Sequence, residues 1–353
     1  MAVTQEVTAT MTDALEEAAI GKGDASLAVR DAATSLSGLR SEIIEDAAAQ
    51  AAMQPWVTME CYQLSRGKQV SQMDTLDLGR VQIVREHQFA AIQKLGTTPE
   101  DFCTISYCTP DPAFRFSDHS ANGADSVFFI PEWTEFDIHV PAGTQTAYVS
   151  FSQSEFADAA RALNPRAWEQ PSHQVSQFQT RQLVELKNAL AQWIGAAEAA
   201  SRRGEPFDPT GMRGSVLETA LRIATAPPEE DATRPPPAAR ARAMRICRLA
   251  REFVEEQMVI HVVPTIVDIC VSLAVSERTL LYAFHHCVGM SPQAYLRRCR
   301  LNQVRTILLA RNPQDTTVTE VAMQFGFLHL GRFAGDYKQI FEESPGTTLA
   351  RRM

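Results

Sequence analysis

The feature that most constrains this chain is a pattern written twice near its C-terminal end. "TIVDICVSLAV" (265–275) leads into "SERTLLYAFHHCVGMSP" (276–292), and "TVTEVAMQFGF" (317–327) leads into "HLGRFAGDYKQIFEESP" (329–345). Each copy opens with a capping box, Thr265 with Asp268 and Thr317 with Glu320, in which hydroxyl and carboxylate satisfy free amides of a helix's first turn. Each first helix then passes through a small residue, Cys270 or Ala322, to a turn at Ala274 or Gly326. In each second helix two apolar residues stand four apart, Leu280 and Phe284 or Phe333 and Tyr337, and that stripe must pack on something. The opposite face carries Arg278, Tyr282 and His285 in the first copy and Gly331, Gly335 and Lys338 in the second. Two short helices joined by a tight turn, the second with a free polar face, predict a helix-turn-helix whose second helix lies in a DNA major groove. Two such units in one chain read two successive grooves.

Between the copies, "SPQAYLRRCRLNQVRTILLARNP" (291–313) predicts a helix begun by Ser291 and Pro292 and halted near Asn312 and Pro313. At about 1.5 Å per residue it spans roughly 30 Å, close to the ~34 Å between successive grooves on one face of the duplex. It reads as a spacer, with Arg297, Arg298, Arg300 and Arg305 expected to face phosphates. The second copy departs from the first in its cap, where Leu328 and His329 replace a usual Ser or Asn. It also departs in its glycines, each costing about 1 kcal/mol in a helix relative to Ala, which calls for a packing or close-approach reason.

The segments "LAVSERTLLYAFHHCVGMSPQAYLRRCRLNQVR" and "VTEVAMQFGFLHLGRFAGDYKQIFEESPGTTL" resemble the DNA-binding domain of the AraC/XylS family of bacterial transcription regulators over about 264–350. The resemblance implies a seven-helix, two-unit DNA reader, usually an activator that contacts RNA polymerase, joined to a cupin-like barrel that senses a small molecule. It also implies a homodimer. On the matched positions the expected DNA contacts are Ser276, Arg278, Thr279, Tyr282, His285, Arg297, His329, Arg332 and Lys338. Base discrimination is expected to concentrate on the first unit, because an arginine paired with guanine is the commonest specific contact.

Charge agrees with this division. The chain has a net charge of −9, yet 239–353 holds 15 Lys and Arg against 10 Asp and Glu, so an acidic body carries a basic end. The remainder sorts by period. Residues 1–50 form an Ala-, Thr- and acid-rich segment, helical or flexible. From 51, short alternating stretches such as "EFDIHV" and "QTAYVSFS", punctuated by turn residues, predict an antiparallel barrel or sandwich. Apolar residues at threes and fours then predict a helix over 173–195, and another follows over 214–225. "APPEEDATRPPPAARAR" (226–242) is a Pro-rich linker, and 243–353 is the all-helical DNA-binding domain. The fold class is therefore α+β: a cupin-like β-barrel and dimerisation helices over 51–225, then two helix-turn-helix units.

In the N-terminal half, Phe128, Trp133 and Tyr148 are the candidate ligand-lining aromatics, and the Leu/Trp/Ile stripe of the 173–195 helix is the candidate dimer contact. His87, His119, His139 and His173 include no His-x-His pair, so neither a metal, a cofactor nor catalysis is expected. Cys103 and Cys108, the two closest of seven cysteines, fall on opposite faces of one predicted strand. No apolar run reaches the ~20 residues of a membrane span, and the N-terminal stretch lacks a secretory pattern, which together predict a cytoplasmic protein without membrane contact. Two alternatives stay open at this level: control by a protein partner in place of a metabolite, and a metal-dependent barrel enzyme fused to a DNA-binding domain.

Overall fold

The computed structural model describes residues 38–54, 56–121, 126–169, 174–180, 182–205, 209–225, 238–260 and 262–351. The described residues belong to one compact unit. Most of the expected 1–50 segment, the greater part of the Pro-rich linker (226–237) and His173 lie outside the described residues.

Twelve strands form two antiparallel sheets among the described residues. The larger runs β1 (Leu39–Ile44), β3 (Ser71–Asp77), β4 (Gln82–Gln88), β11 (Gln145–Phe151), β6 (Cys103–Cys108), β9 (Ser126–Ile130), β12 (Ser176–Gln179) in spatial order. The smaller runs β2 (Thr58–Gln63), β5 (Ile92–Thr97), β10 (Glu135–Val140), β7 (Arg115–Phe116), β8 (His119–Ser120). Neither sheet closes on itself, so the expected barrel is two open sheets whose edge strands have no further strand partner among the described residues. The first boundary also moves: β1 pairs with β3 from Leu39 onward, so the sheet begins before residue 51.

Strand β9 shows why the larger sheet needs cover on both sides. Its residues are all buried, but Val127 and Phe129 join a core with helices while Phe128 and Ile130 join the core between the sheets. Period two thus places one unbroken apolar run in two cores. The same rule separates Cys103 from Cys108, which lie in those two cores, and the described cysteines are all unpaired.

The helix-side core is built with α2 (Gln153–Leu163), α3 (Pro165–Trp168), α4 (Leu183–Arg203) and α5 (Pro209–Thr225), following α1 (Ala47–Ala52) between β1 and β2. The helix expected from 173 instead begins at Leu183, because 176–179 pairs as β12 with β9 and extends the sheet. From Leu183 the predicted period holds: Leu186, Leu190, Trp193 and Ile194 are buried against the chain's own sheet. That stripe is consequently occupied, and the dimer contact expected from it has no free surface there.

Seven helices follow, with α6 (Ala238–Val259) beginning inside the expected linker. Both predicted capping boxes form, at Thr265 for α7 (Ile266–Leu273) and at Thr317 for α10 (Val318–Gln324). Ala274 and Gly326 take left-handed backbone, φ 51° and 73°, at the two turns. The second helices are α8 (Glu277–Val288) and α11 (Leu330–Phe341), with α9 (Pro292–Ala310) between the pairs and α12 (Pro345–Ala350) closing the chain. The second pair has its own core of Val321, Ala322, Phe333, Tyr337 and Phe341 with α9. The first pair shares its core with the smaller sheet, since Tyr62, Leu64 and Leu95 pack among Leu280, Phe284, Tyr295 and the buried face of α6.

Candidate nucleic-acid interface

Ser276 starts α8 by accepting the Thr279 amide at 3.2 Å, so these two expected contacts first serve the helix cap. Leu280, Ala283, Phe284 and Cys287 are buried, which turns Arg278, Tyr282 and His285 outward. Tyr282 is 64% exposed and stacks on His286 with ring centroids 6.1 Å apart. Arg278 has neither an ion pair nor a hydrogen bond among the described residues. One short helix therefore offers solvent a guanidinium, a phenol and imidazoles.

On α11, Phe333, Tyr337, Ile340 and Phe341 are buried, and His329, Arg332 and Lys338 are exposed. His329 occupies the cap position but its side chain makes no capping bond, as its departure from Ser or Asn suggests. A Cβ built on Gly331 or Gly335 would meet nothing within 4 Å. No neighbour among the described residues requires these two glycines.

The arginines of α9 do not face outward as expected. Arg297 pairs with Asp336 of α11 and lies over the Phe327 ring at 5.2 Å. Arg300 covers the same ring at 5.2 Å and donates to the Phe325 carbonyl at 3.3 Å. Arg298 is half-buried, its Nη1 enclosed without a hydrogen bond, and burial lowers its pKa. Arg305 is 2% exposed and donates to Asp46 Oδ2 at 2.8 Å and to Glu343. Carboxylates that match its donors offset the cost of burying a guanidinium, and Asp46 and Glu343 do so from two distant parts of the chain. Burial works against the ionised Glu343, but Thr348, Arg305 and Arg351 together hold its carboxyl below the ordinary range.

Three further ties join α8 and α9 to the sheets. The Asn302 side chain accepts the Gln63 amide at 2.9 Å and donates to its carbonyl at 3.0 Å, mimicking a strand partner. Tyr295 donates to Gln93 at 2.6 Å, and Arg115 donates to the Cys287 carbonyl at 3.0 Å. None of these pairs has a sequence signal, since each joins residues more than 170 positions apart.

The candidate ligand aromatics are not brought together. Phe128 stacks on Phe116 at 5.1 Å inside the sheet–sheet core. Tyr148 is half-buried and donates to Gln54 within a polar network in which Glu86 also receives Lys94, Gln54 and Thr146. Trp133 is 65% exposed, at a turn with φ 54°. The space between the sheets at that end holds the chain's own buried polar side chains, Gln54, Glu86 and Lys94. His119 hydrogen-bonds the Val175 carbonyl at 3.1 Å, and burial with the Arg115 charge lowers His139 to about 4. Among the described residues no three His, Cys, Asp or Glu side chains are grouped to hold a metal.

Residues 269–351, which hold most of the first pair and all of the second, match the family described as "Helix-turn-helix domain". Over this C-terminal part the chain is similar to transcription regulators of the AraC/XylS type. Among the relatives, the chain is 38% identical over 104 residues to the probable thc operon regulatory protein of Rhodococcus erythropolis, covering 30% of this chain and 31% of that protein. It is 39% identical over 74 residues to the XylDLEGF operon transcriptional activator of Pseudomonas putida, covering 21% and 23%. The matches span a third or less of these relatives' lengths. The solved AraC-like transcriptional activator CuxR aligns over 75% of this chain and 94% of its own, at 15% identity and a TM-score of 0.38.

Proposed function

We propose that the chain is a sequence-specific regulator of transcription that binds double-stranded DNA through both helix pairs, used as two helix-turn-helix units. The observation that carries this reading is the pair of short helices, α8 and α11, within the matched 269–351, each presenting cations with no partner among the described residues. Arg278 and Tyr282 read base edges, Ser276, Thr279 and His285 line the same approach, and His329, Arg332 and Lys338 position the second unit on phosphates. Arg297 acts from behind, fixing α11 against α9 through Asp336. The regulator is an activator that works with RNA polymerase, answers a small-molecule effector and functions as a homodimer in the cytoplasm; the activators among its relatives support the first of these.

Selection of binding sites from random duplexes by the full-length chain tests the reading. It is expected to return a site with two blocks one helical turn apart, the stronger base preferences lying in one block. Retention of all sequences alike would refute sequence-specific recognition.

A further inference from the structure

The two sheets end in strands that are unequally covered. On the smaller sheet the Asn302 side chain occupies both backbone groups of Gln63 on β2, and Gln177 and Arg240 reach Ser120 on β8 at 3.0 and 3.2 Å. The larger sheet ends at β12, four residues long, and at β1, six residues without a proline. Among the described residues β1 pairs only with β3, and Arg40, Ser41 and Ile43 are exposed along it, Ile43 by 58%. An open edge of this kind is a template for one more strand.

The register with β3 fixes which backbone groups of that edge are open. The Asp77 amide donates to the Gly38 carbonyl at 3.1 Å, so Gly38 and Asp77 are a hydrogen-bonded pair. Such pairs alternate along an antiparallel ladder, which turns the N–H and C=O of Arg40, Glu42 and Ile44 towards β3; the Ile44 carbonyl does accept from Val70 at 2.7 Å. The backbone groups of Leu39, Ser41 and Ile43 therefore point away from the sheet. Their side chains lie on its helix-side face, where Leu39 packs on the core and Ser41 donates to Asp74 at 2.6 Å. Arg40 and Glu42 lie on the other face and pair with each other, their side chains 64% and 40% exposed.

We infer that two copies of this chain join through this edge, β1 pairing antiparallel with β1 of the second copy about a two-fold axis at Ser41. Leu39, Ser41 and Ile43 then exchange their open N–H and C=O groups with Ile43, Ser41 and Leu39 of the second copy. Leu39 stands opposite Ile43 on one face, and Arg40 stands opposite Glu42 on the other, in the non-hydrogen-bonded position that brings side chains closest. Charges on an edge ordinarily deter pairing. Here the row Arg40, Ser41, Glu42 is its own complement when read antiparallel, as a two-fold interface requires. The charges also select the register, because the next registers that use the open groups set Arg40 against Arg40 or Glu42 against Glu42. The inference rests on the homodimer proposed above and gives it a surface other than the α4 stripe, which is buried on the chain's own sheet.

Sedimentation velocity of the full-length chain without DNA, over a range of concentrations, tests the pairing. The unaltered chain is expected to show a monomer–dimer equilibrium. Arg40→Glu and Glu42→Arg each place like charges opposite one another and are expected to weaken it about tenfold or more, whereas Arg161→Glu, the same charge change on the remote α2, leaves it unchanged. An equimolar mixture of the Arg40→Glu and Glu42→Arg chains is expected to recover the dimer, because opposite charges then face each other across the axis. That recovery separates pairing between chains from the ion pair within one strand. Ile43→Pro removes an open N–H without touching the bonds to β3 and is expected to weaken the dimer while thermal melts of the dilute monomer stay unchanged. A dimer indifferent to both charge reversals, or a mixture that recovers nothing, would overturn the surface and leave the homodimer standing. A chain that is monomeric at every concentration overturns both, and one that dimerises only after residues 1–36 are removed assigns the edge to that segment instead.

Discussion

At the scale of single residues, the two outward helices differ in what they offer a base pair. Arg278 extends a forked donor from α8, while the corresponding face of α11 has Gly331 and Gly335. Replacing Arg278 with Ala is expected to cost about 1–3 kcal/mol of DNA affinity and relax preference at one or two positions. Lys338→Ala is expected to weaken all sequences alike and flatten the salt dependence; competitive binding to selected and scrambled duplexes at several salt concentrations checks both. The glycines make an independent prediction. With nothing near either Cβ, Gly331→Ala and Gly335→Ala should each raise the chain's own stability by up to about 1 kcal/mol. If α11 lies close against DNA, the same variants lose affinity as they gain stability, which paired thermal melts and binding curves would show.

At the scale of elements, α9 is a spacer between the helix pairs and also the main anchor of the C-terminal helices on the sheets. Arg305 is the centre of that anchor. Asp46→Asn is a clean probe, because Asn still caps α1, whose Ala48 and Ala49 amides bond Asp46, while the charge facing Arg305 is lost. Breaking one partner of a buried ion pair costs on the order of 3 kcal/mol, and urea denaturation of the full chain should show a loss of that order. No loss would mean that Glu343 alone satisfies the guanidinium. The α9 arginines also show a limit of sequence reading. A basic run on an amphipathic helix looks the same whether its cations meet phosphates, aromatic rings or buried carboxylates, and Arg297, Arg300 and Arg305 have internal partners contributed by 325–343 and by Asp46.

For the whole molecule, titration and dissection report how the halves are coupled. Glu343 has its folded pKa held below the ordinary 4.5, so its contribution is complete above that value and is lost as pH falls through the folded pKa. Glu255 has the opposite sign: raised to about 7 in the fold, it adds stability as pH falls from 7 towards 4.5. Glu255→Gln should therefore flatten the stability profile between pH 5 and 7, and Glu343→Gln should flatten its acid side; denaturant midpoints across pH decide each. The fragment 238–353 is expected to bind DNA with a steep salt dependence. It should melt below the full chain, because its first core loses Tyr62, Leu64 and Leu95 and its Asn302 and Arg305 lose their sheet partners.

The sequence by itself determined what is local. Capping boxes, turn residues and the four-residue stripes fixed α7, α8, α10 and α11, and with them the outward placement of Arg278, Tyr282 and Lys338, because a cap and a helical period act within a few residues of one another. Alternation likewise announced the strands and set Cys103 and Cys108 apart. Only the tertiary structure decided what each free face meets. It turned the Leu186–Ile194 stripe onto the sheet, made residues 176–179 a strand on the edge of β9, joined Lys94 of one sheet to Glu86 of the other, and spent Arg297 and Arg305 internally. Those outcomes depend on partners up to 260 positions away, which no local period encodes: burial and charge pairing are settled by the elements that happen to pack together.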